Sequence, residues 1–396
     1  MANAILTPTA VTRKALQILH QKLNFIGNIN RQYDSSFADS GAKIGSQLKI
    51  RLPNQYTVRT GAAISTQDTT ENSTTLSVAT QKGVDTTFTT AELTLSLDDF
   101  SARILEPAMA VLASNIEADA LNMVKDVYQS VNNVGSAITL NKVLTARKAL
   151  TDALAPSDKR KLILNTQDNL DLVDSLKGLF QDGNEIAKQY RDGMVGRTAG
   201  FGEIYENTLL ASQATGTAAS ATTYTVNGAG QVGSGVIVAT GATTFAVGDV
   251  ITFAGCNRVH PETKADTGVL QQFVVTAAYA GGAGTLAVSP SIVVSGGTQN
   301  VSASPTNGGA VTKVGGASAI YRPSLAFHEN AFTFATADLE DVSQYGAWGS
   351  RQVYDGISMR VARQYAINTD TIPCRIDILY GYKTIRAELA ARILSN

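Results

Sequence analysis

The chain has 396 residues, 44% of them hydrophobic, and a formal net charge of −1. That length sets an expectation of two or three domains with sizeable cores. The near-neutral charge excludes the strong electrostatic footprint of a nucleic-acid or anionic-membrane binder. Two cysteines, Cys256 and Cys374, exclude a disulfide framework, and no run of about 18 apolar residues exists to span a membrane. The opening MANAILTPTAVTRK lacks a basic stretch followed by an apolar core, so it is not a secretory signal, and folding in a cytoplasm is the default expectation.

Residues 1–45 combine a helical pattern (Val11, Ala15, Leu16, Ile18, Leu19, Leu23) with a polar tail. Seven Lys or Arg stand against two Asp as far as Leu52, which reads as a mildly basic arm tied down by partners rather than by its own core. From residue 46 the chain turns extended. Leu48, Ile50 and Leu52 alternate with Lys49 and Arg51, a polar tip runs from Thr60 to Thr75, and Leu76, Val78, Val84, Thr86 and Phe88 mark the return. A lone two-stranded arm is marginal in water, so this one is expected to rest on another molecule.

Asp98 to Leu105 reads as a short helix, with Asp98 and Asp99 supplying N-terminal negative charge. Pro107 then suits the first turn of a long helix to about Val131. Met109, Leu112, Ala113, Ile116, Ala120, Met123, Val124 and Val127 trace one face of it. Such a helix would be roughly 38 Å long and would need a broad surface to lie against.

Leu140 to Leu154 repeats the amphipathic helical pattern, with Thr139 or Asn141 as cap. Lys161 to Leu164 is a short buried strand, and Thr166 to Phe180 is helical, with Leu170, Val173, Leu176, Leu179 and Phe180 on one side. Composition then changes. Ala211 to Ile320 holds 18 of the 34 glycines but only six charged residues. Short runs such as VIVAT, VITFAG and QQFVVTAA between turn signals predict a small all-β barrel or sandwich. Bounded on both sides by α/β sequence, it reads as an insertion. Phe332 and Phe334, then Ile357, Met359 and Val361, then TIPCRIDILY give further strands, and AELAARIL looks helical.

Motifs for chemistry are weak. Gly228, Gly230 and Gly233 form a dinucleotide-type spacing, but a strand run follows where a helix N-terminus is required. His20, His260 and His328 show no metal-ligand spacing. Cys256 and Cys374 read as buried small hydrophobes. Tyr190 to Phe201 reads as a turn returning to a strand, in which Arg191 and Arg197 could form an anion site. No catalytic, cofactor-binding or metal-binding residue is assigned.

Several motifs are familiar in their order. They are Phe88-Thr89-Thr90 with Glu92-Leu93-Thr94-Leu95 leading into Asp98-Asp99-Phe100-Ser101, and Tyr190-Arg191-Asp192-Gly193 with Ala199-Gly200-Phe201. Gly248-Asp249-Val250-Ile251 with Phe253-Ala254-Gly255 follows, then Cys374-Arg375-Ile376 with Tyr380-Gly381 and Arg386. Together they resemble the major capsid proteins of tailed double-stranded DNA bacteriophages, which share the Hong Kong 97 capsid fold. The closer resemblance is to the Salmonella short-tailed phage coat-protein group, which carries an inserted domain.

The resemblance implies an α+β fold divided as follows: an N-terminal arm (1–45), an extended β-arm or E-loop (46–83), a peripheral domain with spine helix (84–135), a first axial part (136–210), an inserted β-barrel-like domain (211–320), a second axial part (321–370) and a C-terminal return to the peripheral and axial core (371–396). It implies a structural, non-enzymatic protein without cofactors that forms hexamers and pentamers of an icosahedral shell. Scaffolding protein and portal would be partners, double-stranded DNA would be enclosed without sequence-specific binding, and no membrane would be involved. Assembly would occur in the host bacterial cytoplasm and the final location would be the virion capsid. The alternatives are an encapsulin-type nanocompartment shell and a ligand-binding β-domain protein.

Overall fold

The computed structural model describes residues 12, 14–15, 23–31, 47–64, 66–69, 71–89, 106–176, 199–239, 241–340, 342–346, 348–354 and 357–395. The helix expected over Asp98 to Leu105, most of the N-terminal helical pattern, His20, and the stretch holding Arg191 and Arg197 lie outside these residues. The chain divides into two compact units. One comprises Met1–Ile50, Ser73–Leu121 and Phe332–Ile385, and the other Arg51–Asn72, Asn122–Ala331 and Arg386–Asn396.

In the first unit, β1 (Gln47–Arg51) pairs with β2 (Ser73–Ser77), followed by β3 (Thr80–Thr89) and α1 (Glu106–Leu121). Far along the chain come β16 (Phe332–Ala337), β17 (Trp348–Tyr354), β18 (Ile357–Arg363) and β19 (Thr371–Thr384). The centre is β19, whose 14 residues take β3 along one edge and β18 and then β16 along the other. Its alternation buries Ile376, Ile378 and Tyr380. Asp377 is also buried, and it accepts from Arg360 and Arg375 at 2.8 Å each.

Helix α1 buries the expected face, Met109, Leu112, Ala113, Ile116 and Ala120. It is shorter than the pattern suggested. It ends at Leu121, about 24 Å long, and tightens into a 3-10 turn over Asn122–Asp126. Met123, Val124 and Val127 stay buried in that turn and the loop after it, which is why the periodicity overran the helix end. Asp119 fixes α1 to its sheet, accepting from Lys82 at 2.6 Å and the Tyr380 hydroxyl at 2.5 Å.

Two expectations about the arms change. Residues 23–31 are held by their own chain. Leu23, Phe25, Ile26 and Ile29 are buried, the Phe25 N–H donates to Glu117 at 2.9 Å, and Asn30 bridges Thr333. The arm's stem is also not a lone hairpin, because Ile50, Leu76 and Val78 pack against Ala335 and Leu379. Gly381 lets it approach, since a Cβ there would sit 2.0 Å from the Ser77 carbonyl oxygen.

The second unit contains β4 (Ser130–Asn132), α2 (Leu140–Asp152), β5 (Arg160–Leu164), α3 (Thr166–Leu176) and β6 (Glu203–Glu206). It continues with β7 (Gln213–Ala214), β8 (Ala221–Thr225), β9 (Gly233–Val238), β10 (Val250–Val259), β11 (Asp266–Val275), β12 (Gly284–Ile292), β13 (Ala310–Lys313), β14 (Ile320–Tyr321), β15 (Ser324–His328) and β20 (Ala390–Leu394). Thr139 takes the extended cap conformation before α2. Helix α3 buries Asp168, Leu172 and Leu176, while Leu170, expected on the packed side, is exposed.

A five-stranded sheet runs β4-β20-β15-β5-β6. The AELAARIL stretch, expected as a helix, supplies only a 3-10 turn over Ala387–Leu389, and its remainder is the internal strand β20. All five β20 residues are buried, with β15 antiparallel on one side and β4 parallel on the other. In the first unit, Phe332 to Arg363 shares a sheet with β19.

Strands β8 to β13 form a six-stranded sheet in the order β8-β13-β10-β11-β12-β9. Val226 bridges Val238, the Asn227 N–H reaches the Ile237 carbonyl at 2.9 Å and the Ala239 N–H reaches Thr225 at 2.8 Å. The end strands therefore meet and the sheet closes into a barrel. Its interior is filled by a continuous core including Tyr224, Phe245, Phe253, Phe273 and Leu286.

Asp119→Ala is expected to destabilise the first unit by about 1–3 kcal/mol, since it leaves a buried hydroxyl and a half-buried ammonium without their acceptor. Denaturant melts should show a lower midpoint at unchanged slope.

Candidate functional site

The chain leaves the five-stranded sheet after β6 and returns to it at β15, and between them it builds the barrel. At the root, β7 pairs with β14, with Gln213 opposite Tyr321 and Ala214 opposite Ile320. Thr215 continues the clasp, its N–H donating to Ala319 at 2.9 Å and its hydroxyl to Gly316 at 3.2 Å.

Below this clasp lies a buried charged cluster. Arg392 projects from β20 with no exposed surface. One guanidinium nitrogen donates to Gln213 Oε1 at 3.0 Å and another to the carbonyl of Gly248. Gly248 has φ +94°, and a Cβ there would strike the Gln213 amide. Asp249 Oδ2 accepts from the N–H groups of Gly216 at 3.0 Å and Ala246 at 2.9 Å, with the Lys313 ammonium 4.0 Å away. Lys313 itself donates to the Gly216 carbonyl at 3.0 Å. Burial lowers the Arg392 pKa to about 10, opposed by Asp249 and Asp126, and burial likewise lowers that of Lys313 against the pull of Asp249.

Two further contacts join barrel to lobe. The Gln272 side chain accepts from the Ser130 N–H at 2.7 Å and donates to its carbonyl at 3.0 Å, so an amide side chain pairs with β4 as a strand would. Arg258 meets Asp152, at the end of α2, at 3.0 Å. A buried ion cluster adds little net stability when intact, whereas removing one partner typically costs about 3–5 kcal/mol. The chemistry here is orientation. Arg392 and Lys313 donate to Gln213 and to main-chain carbonyls, and Asp249 Oδ2 accepts from main-chain N–H groups, while Arg392 Nε and Asp249 Oδ1 are buried without a hydrogen-bond partner.

Other residues singled out from sequence fall elsewhere. Gly228, Gly230 and Gly233 all have positive φ, the first two in the turn between β8 and β9 and the third opening β9, so a strand follows them and no helix N-terminus. His260 accepts the Glu262 and Thr263 N–H groups at 3.3 and 3.2 Å, a turn role. His328 is buried, its Nδ1 accepting the Asn330 N–H at 3.2 Å. Cys256 lies in the barrel core with its thiol pushed up to about 12 by burial, and burial also raises Cys374, so neither is an activated thiol. Among the described residues no group of three or more His, Cys, Asp or Glu could hold a metal, and no helix is long and apolar enough to cross a membrane. Of the motifs read as familiar, Gly248-Asp249 belongs to the buried cluster, Gly381 to the stem packing and Tyr380 to the contact with Asp119 of α1. Gly200 admits the Arg147 guanidinium, which a Cβ would meet at 2.6 Å.

A second candidate surface is the arm tip within Arg51–Asn72. Gln67 holds it together by accepting from the Thr57 N–H and hydroxyl, both at 2.9 Å. Tyr56, Val58 and Ile64 are exposed, the last two at 95% and 85%.

Arg392→Ala is expected to cost about 3–5 kcal/mol by denaturant melting, more than an ordinary arginine truncation. A separate effect concerns acid. Burial holds His328 below its usual value, reinforced by Arg160 and Lys159 and opposed by Asp158 and Glu329. Stability from the neutral ring is thus present above the unfolded value of about 6.5 and lost as pH falls through the lower folded value. His328→Gln should flatten the stability profile in that range, and an unchanged profile would contradict this.

The P22 coat protein model (gene protein 5) matches residues 9–393. Among solved structures, one from Mycobacterium phage Che8 is similar with a TM-score of 0.50 at 13% identity, covering 94% of this chain and 90% of its own. The mature capsid of bacteriophage PhiM1 aligns at 0.46 and 10% identity, covering 94% and 89%, and a virus-like particle from Pyrococcus furiosus at 0.41 and 8%, covering 97% and 98%. Among curated proteins no sequence matches. The chain belongs to the P22 coat protein family and is a structural major capsid protein of the tailed-phage type.

Proposed function

We propose that this chain encloses a double-stranded DNA genome by assembling with its own copies into pentamers and hexamers of an icosahedral shell. The observation that carries the assembly reading is the arm, whose stem is buried in its own core while its tip presents Tyr56, Val58 and Ile64 to solvent. Apolar groups on a fixed stem favour burial against a neighbouring copy, and a shell repeats that modest gain at every contact. The near-neutral charge suits a container, since a strongly basic wall would grip packaged DNA through its phosphates. Scaffolding protein and portal are the expected assembly partners, the host bacterial cytoplasm the site of assembly, and the virion capsid the destination.

Residues 211–320 act in this reading as a domain inserted in the axial lobe, supporting folding and contacts between neighbouring capsomers. The clasp at its root and its separate core support that role. A ligand-binding β-domain is disfavoured because packed aromatic and aliphatic side chains occupy the barrel interior. An encapsulin-type nanocompartment is disfavoured by the coat-family match over residues 9–393.

The double substitution Val58→Asp with Ile64→Asp should leave a folded subunit with an unchanged melt and abolish closed shells. Light scattering and negative-stain imaging of material co-expressed with its scaffolding protein would show this. Normal shells from the double variant would overturn the arm's role.

A further inference from the structure

The sequence contains two Asn–Gly steps, Asn227–Gly228 and Asn307–Gly308, and the fold brings them together at one end of the barrel. Such steps are the most prone of all to spontaneous loss of the side-chain amide, because a glycine nitrogen without a neighbouring Cβ can swing onto the asparagine carbonyl carbon. Both glycines take the positive φ that these turns demand, +113° at Gly228 and +73° at Gly308. Both asparagines are exposed.

The attacking nitrogens are each restrained. The Gly228 N–H donates to Asn307 Oδ1 at 2.8 Å, and the Gly308 N–H donates to the Val226 carbonyl at 2.8 Å. Asn227 is further held through its own N–H to Ile237 at 2.9 Å, and its carbonyl accepts from Gln231 at 3.0 Å. These bonds lie on the seam that closes the barrel, where Val226 bridges Val238. One step is therefore guarded by main chain and the other by a single replaceable side chain.

We infer that Asn227 is a spontaneous deamidation site held in check by Asn307, and that its conversion opens the closing seam of the barrel. In the reaction the Gly228 nitrogen loses its proton and bonds to Cγ of Asn227. The Cγ–Nδ2 bond breaks, ammonia leaves with the proton, and a five-membered succinimide remains. Water then opens either ring carbonyl to give aspartate or isoaspartate, with no change of oxidation state. Isoaspartate inserts an extra backbone carbon between the Val226 bridge and Gly228, which moves the Asn227 N–H and the Gly228 N–H out of register with their acceptors. The chemistry stands on geometry alone. Its importance rests on the capsid reading, in which subunits persist unreplaced for the life of a particle.

The test incubates purified full-length protein at mildly alkaline pH and quantifies Asn227, aspartate and isoaspartate by peptide mapping. Variants Asn307→Ala and Asn307→Asp are compared with wild type, and peptide-resolved alkylation of buried Cys256 reports whether the barrel is intact. Loss of one hydrogen bond corresponds to roughly two- to tenfold in rate, so Asn307→Ala should accelerate conversion at Asn227 by about that factor. Asn307→Asp keeps an acceptor and should stay at the wild-type rate. Cys256 alkylation should rise with the isoaspartate fraction. Should Asn307→Ala fail to fold, wild type in native buffer against wild type in urea decides, with native Asn227 expected to be at least about tenfold slower. Equal rates in either comparison, or isoaspartate accumulating while Cys256 stays protected, would overturn the inference.

Discussion

The seating of Arg392 constrains the second unit more than any other single contact. Its side chain leaves an internal strand and ends against Gln213 and the Gly248 carbonyl, both at the root of the barrel. β20 is therefore where sheet and barrel meet, and a guanidinium with no exposed surface tolerates only one arrangement of the groups around it. Asp249 and Lys313 extend the constraint, because each is also buried and each is bonded to the short segment around Gly216. A misplaced barrel would leave several charges buried without partners, at several kcal/mol each.

Everything around this cluster is arranged to bring distant chain together. From before α2, the Gln129 carbonyl accepts from the Arg392 N–H at 2.9 Å and Ser130 pairs with Arg392 across β4 and β20. The clasp closes over a gap of more than a hundred residues, and β20 pairs with both β4 and β15. Such long-range pairing is entropically demanding and folds slowly. The barrel offsets this by having a core of its own and end strands that meet at the Val226–Val238 bridge.

The fold was legible in sequence where local pattern and tertiary demand agree. KLIL and VITFAG became β5 and β10, and the face of α1 was read from Met109 to Ala120. Legibility failed where the two diverge. AELAARIL is made of strong helix formers, but pairing on both edges with β4 and β15 outweighs that propensity. Residues 23–31 have no clean period, so their burial through Phe25, Ile26 and Ile29 was not foreseen. The cluster at the root was invisible because Gln213, Asp249, Lys313 and Arg392 are scattered over about 180 residues, and only the Gly248-Asp249 pair carried a signal.

Hydrogen–deuterium exchange on Arg392→Met, which keeps the side-chain volume but removes its donors, tests the central claim most directly. The expected result is joint loss of protection in β20 and at Gly216, Ala246 and Gly248, with the barrel core around Phe253 and Phe273 still protected. Unchanged protection at the root, or loss confined to β20, would show that Arg392 does not seat the barrel.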